Sequence, residues 1–587
     1  MTTINVSSGV ISSDITLNSG DRIVVLAGGS AVSTTINAGG AGNVYGTALD
    51  TLVTTGAYLS ISSGGFASGT TVTGTAENPA YEIVGNDFLP GVSAMVSGTS
   101  LYSGGTQWVE TNGVAVGTVV FSGGVQNFFG GTASGAVVSN GGDQEISYGS
   151  AVNTIVYSGG RQSDEQFQAH VTGTILSGGV EIVYAGAVTT ATQIFAGGNL
   201  YLLPGAAAAA TAIQSGGTEI VSSGATASTT GIASGGVASV QSGGSDVSAT
   251  LNGGTERLEG GSASDAVVSN GGYLAVSSGG VTERTIISSG GREVVSAAAS
   301  ADVTTVGAGG VLYVLAGGTA SGTSVTTGGQ EKVSSGGAVS GSIVVGGTEI
   351  ISGGGSGTGD AVSRGGTIYV SAGGVESGGH VLSGGQLKLR GGSASQTLVS
   401  SGGVELVSSG GGTTGTQVLS GGKERVLSGG AAQNLLVSGG GFAFINSAGS
   451  ISGGTLLSGA SLAVSLGGIV SSGLTLSGGG LAAISGTAAA GQTVHFAGAG
   501  GDLALYNLPG FGAVIGGFGT GDTIDLGTLA FGASMTSSFT PAGGGTSGTL
   551  TIGNGATSAS LTLSGSYVTN DFVVSPDTSG GTLVTFA

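Results

Sequence analysis

No cysteine occurs among the 587 residues. That excludes a disulfide framework, a thiolate metal site and a cysteine nucleophile. Lysine and arginine together number 11 against 31 aspartates and glutamates, a net charge of −20. Nucleic-acid affinity comes from neutralising phosphates, so this balance argues against nucleic acid and equally against an anionic membrane surface. The only histidines, His170, His380 and His495, lie far apart in the sequence. No Ser-His-Asp or Cys-His arrangement accompanies them, and no catalytic or cofactor-binding residues are assigned. No apolar run reaches the length of a membrane span, so membrane insertion is not expected. The run from Met1 to Gly9 has neither the basic region nor the apolar region of a Sec signal peptide. The expectation is therefore either a signal removed beforehand or export by another route.

What the chain has is glycine, 128 residues of it, against six prolines. Gly-Gly pairs start at positions 104, 123, 141, 159, 178, 197, 216, 235, 253, 271, 290, 309, 328, 346, 365, 384, 402, 421 and 439. The step averages about 18.6 residues, and a fixed period of that size is the mark of a repeat architecture. Call the first glycine of each pair n. Position n+5 is an apolar column that includes Val109, Phe128, Ile146, Val183, Val295, Val314, Val333, Ile351, Val407 and Val426. Position n−3 is a second one, with Val120, Val138, Val156, Ile175, Ile194, Val325, Ile343, Val362 and Val418. A second Ser/Ala-Gly-Gly usually follows eight residues after n, as at 278–280 and 428–430. Each unit therefore reads as two short β-branched strands between glycine turns.

One unit cannot bury its aliphatic residues alone, whereas units stacked in register bury two continuous columns. The fold class is all-β: a parallel β-solenoid, or β-helix, of 18–19-residue rungs. At about 4.8 Å per rung, these nineteen pairs span on the order of 90 Å. Residues 1–100 carry the pattern irregularly. An insertion is expected at 75–94, where Pro79, Pro90, Tyr81, Phe88, Glu77, Glu82 and Asp87 interrupt it. Residues 101–485 hold the regular repeats. Asp164 falls on the n+5 column, so a bulge is expected there. Residues 486–587, where the repeat is expected to stop, are richer in Phe and read as a separate β-rich module that caps the stack.

Two polar columns accompany the apolar ones. Threonine recurs at n−5, as at Thr118, Thr154, Thr192, Thr211, Thr230, Thr304, Thr323 and Thr416. It shares a strand face with the n−3 residue. Glutamate recurs at n+3: Glu181, Glu219, Glu256, Glu293, Glu331, Glu349, Glu405 and Glu424, with Gln107, Gln126, Gln144 and Gln162 in earlier rungs. The simpler reading of this column is a solvated edge, with Arg257, Arg292, Lys332, Lys423 and Arg425 close by in sequence. The other reading uses the neighbouring pairs Glu331/Glu349 and Glu405/Glu424 as cation sites, with Ca2+ as the ion. Carboxylates one rung apart repel, and a divalent cation relieves the repulsion.

The catalytic inventory is thin. Lys388 with Arg390, and Asp360 with Arg364, are the nearest approaches to a cluster, and neither supplies an acid/base pair. The glycine-rich stretches 353–360 and 516–522 fall short of the calcium-binding nonapeptide G-G-x-G-x-D-x-U-x.

The rung seen at Gly328-Gly-Gln-Glu-Lys-Val-Ser-Ser-Gly-Gly and Gly402-Gly-Val-Glu-Leu-Val-Ser-Ser-Gly-Gly closely resembles the repeats of AIDA-type (strand-loop-strand) autotransporter adhesin passengers. The resemblance covers residues 100–440. It implies a secreted protein at the bacterial cell surface, with a structural or adhesive role in surface adhesion, self-association or biofilm matrix scaffolding. It also implies O-glycosylation of repeat serines and cell-surface glycans as partners. The about 100 residues left after the rungs are too few for the translocator barrel of that family. The tail segments 518–526 and 580–586 instead resemble the C-terminal region of type I-secreted RTX-related proteins, which implies export through an uncleaved C-terminal signal. The alternative function is a carbohydrate-active or carbohydrate-binding β-helix.

Overall fold

The computed structural model describes residues 1–85 and 92–587. The chain is an all-β parallel β-solenoid of about 27 turns with ~19 residues per turn. It forms two compact units, one made chiefly of residues 1–286 and the other chiefly of residues 301–587.

In the second unit, one coil consists of the strands Gln330–Val333, Ala338–Ser340 and Ile343–Val345. The next coil begins at Thr348–Ile351. Each strand pairs in parallel with its counterpart one coil on: Val333 with Ile351, Val339 with Gly357, and Val344 with Val362. There are thus three strands per coil rather than two. The middle strand has a weak signature because its inward residue is often small, as at Ala320, Ala394 and Ala432. Between the second and third strands the chain turns on a residue in the left-handed region: Val303, Gly322, Gly341, Gly359, Gly378, Gln396, Gly415 and Asn434 all have φ between 51° and 71°.

The two glycines of each pair are needed for different reasons. Gly402 has φ +75°, which favours glycine. Gly403 has no room: a Cβ there would overlap the backbone carbonyl of Val381 in the coil before. The serine of the Ser-Gly-Gly turn lies over the glycine of the next coil, as Ser401 does over Gly421.

The n+5 column is the core. Val295, Val314 and Val333 are fully buried. Val314 pairs with Val333, and the N–H of Leu315 donates to the carbonyl of Val295 at 2.9 Å. The n−3 column holds in most coils and slips by one residue where the third strand sits closer to the turn. There Leu176 and Val344 point inward and are fully buried, and Ile343 is 51% exposed. With a side-chain period of two, a one-residue slip turns the expected residue outward.

The first unit repeats the same coil, for example Thr218–Val221, Thr226–Ser228 and Gly231–Ala233. The segment 75–94 is not simply an inserted loop. Ala80–Val84 is a regular first strand, with Leu59 pairing Glu82 on one side and Gln107 on the other, and Ala94–Ser97 is a second strand. Asp87, Phe88 and Pro90 lie outside the described residues. Asp164 stays in its buried column, opposite Ile146 and Val183, and the register shifts just after it.

Parallel stacking does not stop at Gly486. Leu481 pairs with Asp502, and Asp502 with Thr523, so the coil continues with a 21-residue step and without its Gly-Gly signature. Antiparallel strands then close the edges. Thr582–Phe586 pairs with Thr523–Leu526, and the hairpin strand Ser558–Ser564 runs parallel to Val514–Gly516. Phe518 packs between Phe496, Phe572 and Phe586, with ring centroids 5.6–6.2 Å apart. These strands cover backbone N–H and C=O groups that would otherwise form an open edge.

Candidate functional site

The n+3 column is not a solvated edge. Glu181, Glu219, Glu256, Glu293, Glu331, Glu349, Glu405 and Glu424 are all fully buried, as are Gln107, Gln126, Gln144 and Gln162. The cause is strand alternation: n+3 and n+5 lie on one face, so the residue two before a core valine also points inward. Lys332, Arg257, Arg292, Lys423 and Arg425 alternate with these positions and face outward. None of them forms a salt bridge to the column among the described residues; the ion pairs are those of Arg161 with Asp143 and Glu145, and of Arg284 with Asp265 and Glu283.

The threonine column is also interior and supplies hydroxyl donors to the n+3 side chains. In the first unit the glutamines make an amide ladder: Gln126 Nε2 donates to Gln107 Oε1, and Gln144 Nε2 to Gln126 Oε1, each at 2.7 Å. Thr118 donates to Gln107 Oε1 and Thr154 to Gln144 Oε1, each at 3.1 Å. Each amide both donates and accepts, so the ladder satisfies itself. Glutamates cannot do this when ionised, because every oxygen is then an acceptor. Thr189 and Thr192 donate to Glu181 at 2.7 and 3.1 Å, and Thr211 to Glu219 at 3.2 Å. Burial pushes the Glu82 and Glu181 carboxyls above their usual range. Burial and the Asp246 charge raise Glu219 to about 8.

In the second unit the sequence-predicted pairs are adjacent. Glu331 pairs with Glu349, and Glu405 with Glu424, in the register of neighbouring coils. The two pairs differ in their surroundings. Thr416 donates to Glu405 at 3.0 Å and Thr413 to Glu424 at 2.9 Å. By contrast, neither oxygen of Glu331 or Glu349 accepts a well-formed hydrogen bond. Glu349 instead meets Asp360, at the threonine position of its coil, and Glu376, on the second strand of the following coil. One carboxylate oxygen from each of Glu349, Asp360 and Glu376 lies within 4.8 Å of the others, and all three residues are buried. Asp360 Oδ1 accepts from the Ser342 N–H at 2.8 Å, while Asp360 Oδ2 and both Glu376 oxygens have no partner. Burial, then the Asp360 charge, raises Glu376 to about 9. Nothing in the repeat announces Glu376, which stands where the coils on either side place Gly357 and Ala394.

The other candidates do not assemble. Arg364 sits exposed on a turn while Asp360 is interior. Lys388 lies over the Tyr369 ring, 5.1 Å from its centroid, and Arg390 is exposed on the same strand. His170, His380 and His495 are exposed. In 516–522, Asp522 accepts from the N–H groups of Gly519 and Gly501 at 2.9 and 3.0 Å, which is a turn-fixing role. On the outside, Lys423, Arg425, Phe442 and Phe444 line a shallow cleft, with Lys423 beside Phe442 and Arg425 beside Phe444 across the ladder. Among the described residues no helix is long and apolar enough to cross a membrane.

Residues 257–310 match the family model described as "adhesin of bacterial autotransporter system, probable stalk". A search of curated proteins gave no match. Among solved structures, the chain is similar to a TibC-catalysed hyper-glycosylated TibA fragment at 25% identity, over 61% of this chain and 98% of that one, with a TM-score of 0.29. A PL6-family alginate lyase aligns at 8% identity, over 87% of this chain and 96% of that one, with a TM-score of 0.16. At these scores neither superposition bears on function, and the fold rests on the strand register itself.

Proposed function

We propose that the protein is an extracellular adhesive stalk of the bacterial surface, whose repeated outer faces make the contacts and whose interior serves only stability. The observation that carries this reading is the match of residues 257–310 to an adhesin stalk model. It is supported by the inward orientation of the repeat carboxylates, which leaves them unavailable as surface acid/base groups. The exposed turn serines, such as Ser383, Ser401 and Ser420, are the positions offered for O-glycosylation. Self-association, matrix scaffolding and type I export through the tail belong to the same proposal.

The test is adhesion itself. Beads coated with the full chain should bind cells or aggregate with one another, and beads coated with heat-unfolded chain should not. Equal retention of coated and bare beads overturns the proposal.

A second reading, a carbohydrate-binding solenoid, is favoured by the Lys423–Arg425–Phe442–Phe444 cleft. Aromatic faces stack on sugars, and paired cations suit acidic glycans. Binding to acidic glycans on an array that is lost in Lys423→Ala/Arg425→Ala would favour it over simple stalk adhesion.

A further inference from the structure

The structure assigns a site to the carboxylates at the start of the second half of the repeats: we propose that Glu349, Asp360 and Glu376 hold a hard divalent cation of the calcium type in the interior of the coil. Three carboxylates converge, with oxygens within 4.8 Å of one another. Independently of that convergence, the fully buried Glu349 and Glu376 accept no hydrogen bond on either oxygen, and Asp360 none on Oδ2. Buried polar atoms are ordinarily satisfied, so five unsatisfied oxygens on three residues that each bring one oxygen within 4.8 Å of the others call for a partner such as a bound cation. At other places in the column the chain does supply one, through amides in the glutamine ladder and threonine hydroxyls at Glu405 and Glu424. Glu256 and Glu331 also lack a partner, but among the described residues only Glu349, Asp360 and Glu376 converge as a group of three.

The space around the cluster is built by omission. Gly357 takes the inward position that Val339 holds one coil earlier and Ala394 two coils later. A Cβ at Gly357 would overlap carboxylate oxygens of both Glu376 and Asp360. Gly379 likewise stands where Thr323 and Thr397 occupy the threonine column, and a Cβ there would lie 3.0 Å from Glu376 Oε1.

The donor set selects the ion class. With oxygen donors only, the site suits Ca2+, Mg2+ or Mn2+ rather than Zn2+ or Cu2+. Calcium accepts about six to eight oxygens in irregular geometry, whereas magnesium keeps several waters. Three carboxylates binding through both oxygens would provide six donors. The Ser342 hydroxyl, buried, unpartnered and on the residue whose N–H binds Asp360, adds a neutral one.

Because the cluster is closed to solvent, the ion would enter as the coil forms. The experiment is to unfold the full chain and refold it with EDTA, with CaCl2 or with MgCl2. Unbound ion is then removed by gel filtration, and retained metal and the thermal midpoint are measured. The expected result is about one calcium per chain and a higher midpoint than in EDTA. Gly357→Ala should keep its circular dichroism spectrum and lose both the ion and the calcium-dependent shift, while Glu405→Gln should keep both. Should Gly357→Ala fail to fold, Glu349→Gln serves in its place with the same expected loss. No retained ion with an unmoved midpoint overturns the proposal, as does full retention by the folded Gly357→Ala or Glu349→Gln variant. In those cases the cluster holds protons in place of metal.

Discussion

Glu349 sits directly above Glu331 in the ladder, both side chains fully buried, one coil after another. The same column, in the first unit, places Gln126 above Gln107 with a 2.7 Å amide hydrogen bond between them. The two arrangements differ by one atom in each side chain and by the whole of their electrostatics. A glutamine ladder satisfies itself, whereas a glutamate ladder needs protons, hydroxyls or an ion.

Glu405→Gln should therefore stabilise the protein at neutral pH. Burial, then the Glu424 charge, holds Glu405 well above the usual carboxylate range. An amide there removes the repulsion and can donate to Glu424 as Gln126 does to Gln107. The expected gain is about 1–3 kcal/mol near pH 8, read from the denaturation midpoint, and it should vanish near pH 4. A loss of stability near pH 8 would contradict the interior assignment of this pair.

Val303 offers a separate check on the corner between the second and third strands. It has φ 57°, a region costly for a β-branched residue, and it is 56% exposed. Glycine or asparagine fills the corner in several other coils, as at Gly322 and Asn434. Val303→Asn should raise the midpoint, by about 1 kcal/mol in stability. A drop would mean that the valine makes contacts worth more than its backbone strain.

Val314 tests the core column. Val314→Asp places an unpaired charge between Val295 and Val333 and should cost several kcal/mol, roughly the desolvation of a buried polar group. Limited proteolysis should then cut within the second unit. An unchanged midpoint would mean that the column is not the core.

Much of this was legible from period alone. The Gly-Gly spacing points to the parallel coil, and n+5 to the apolar core residue from Val109 to Val426 in every rung but that of Asp164, which is buried all the same. Four things were hidden, each for a physical reason. The middle strand escaped notice because its inward residue is often alanine, which marks neither strand nor core. The n−3 rule points to Ile343, but the third strand sits one residue closer to the turn there, and the core residue is Val344. The glutamates suggest a solvated edge as the simpler reading because carboxylates usually seek water. Alternation from Val333 back to Glu331 pointed inward all the same, and here the pleat prevails over side-chain polarity. Glu376 had no repeat to announce it, since it interrupts the small-residue column only where Gly357 and Gly379 make room.

The central claim, that the repeat carboxyls are interior, is tested most directly by the pH dependence of the unfolding midpoint in EDTA. Burial, then the Asp246 charge, raises Glu219 from 4.5 to about 8; Glu181 adds to the rise, and hydrogen bonds from Thr211 and Thr230 oppose it. Burial raises Asp246 from 3.8 to about 6 and Glu424 from 4.5 to about 7. Between the two values of each group the folded chain binds more protons than the unfolded chain. Stability is then greatest below the unfolded values and falls as pH rises through the folded ones, by about 1.4 kcal/mol per pH unit for each group within its own window. Exposed carboxylates give no slope, and ion-paired ones give the opposite slope. The account predicts a midpoint that is higher near about pH 5 than near about pH 8.5. A midpoint that climbs from the first value to the second would contradict it.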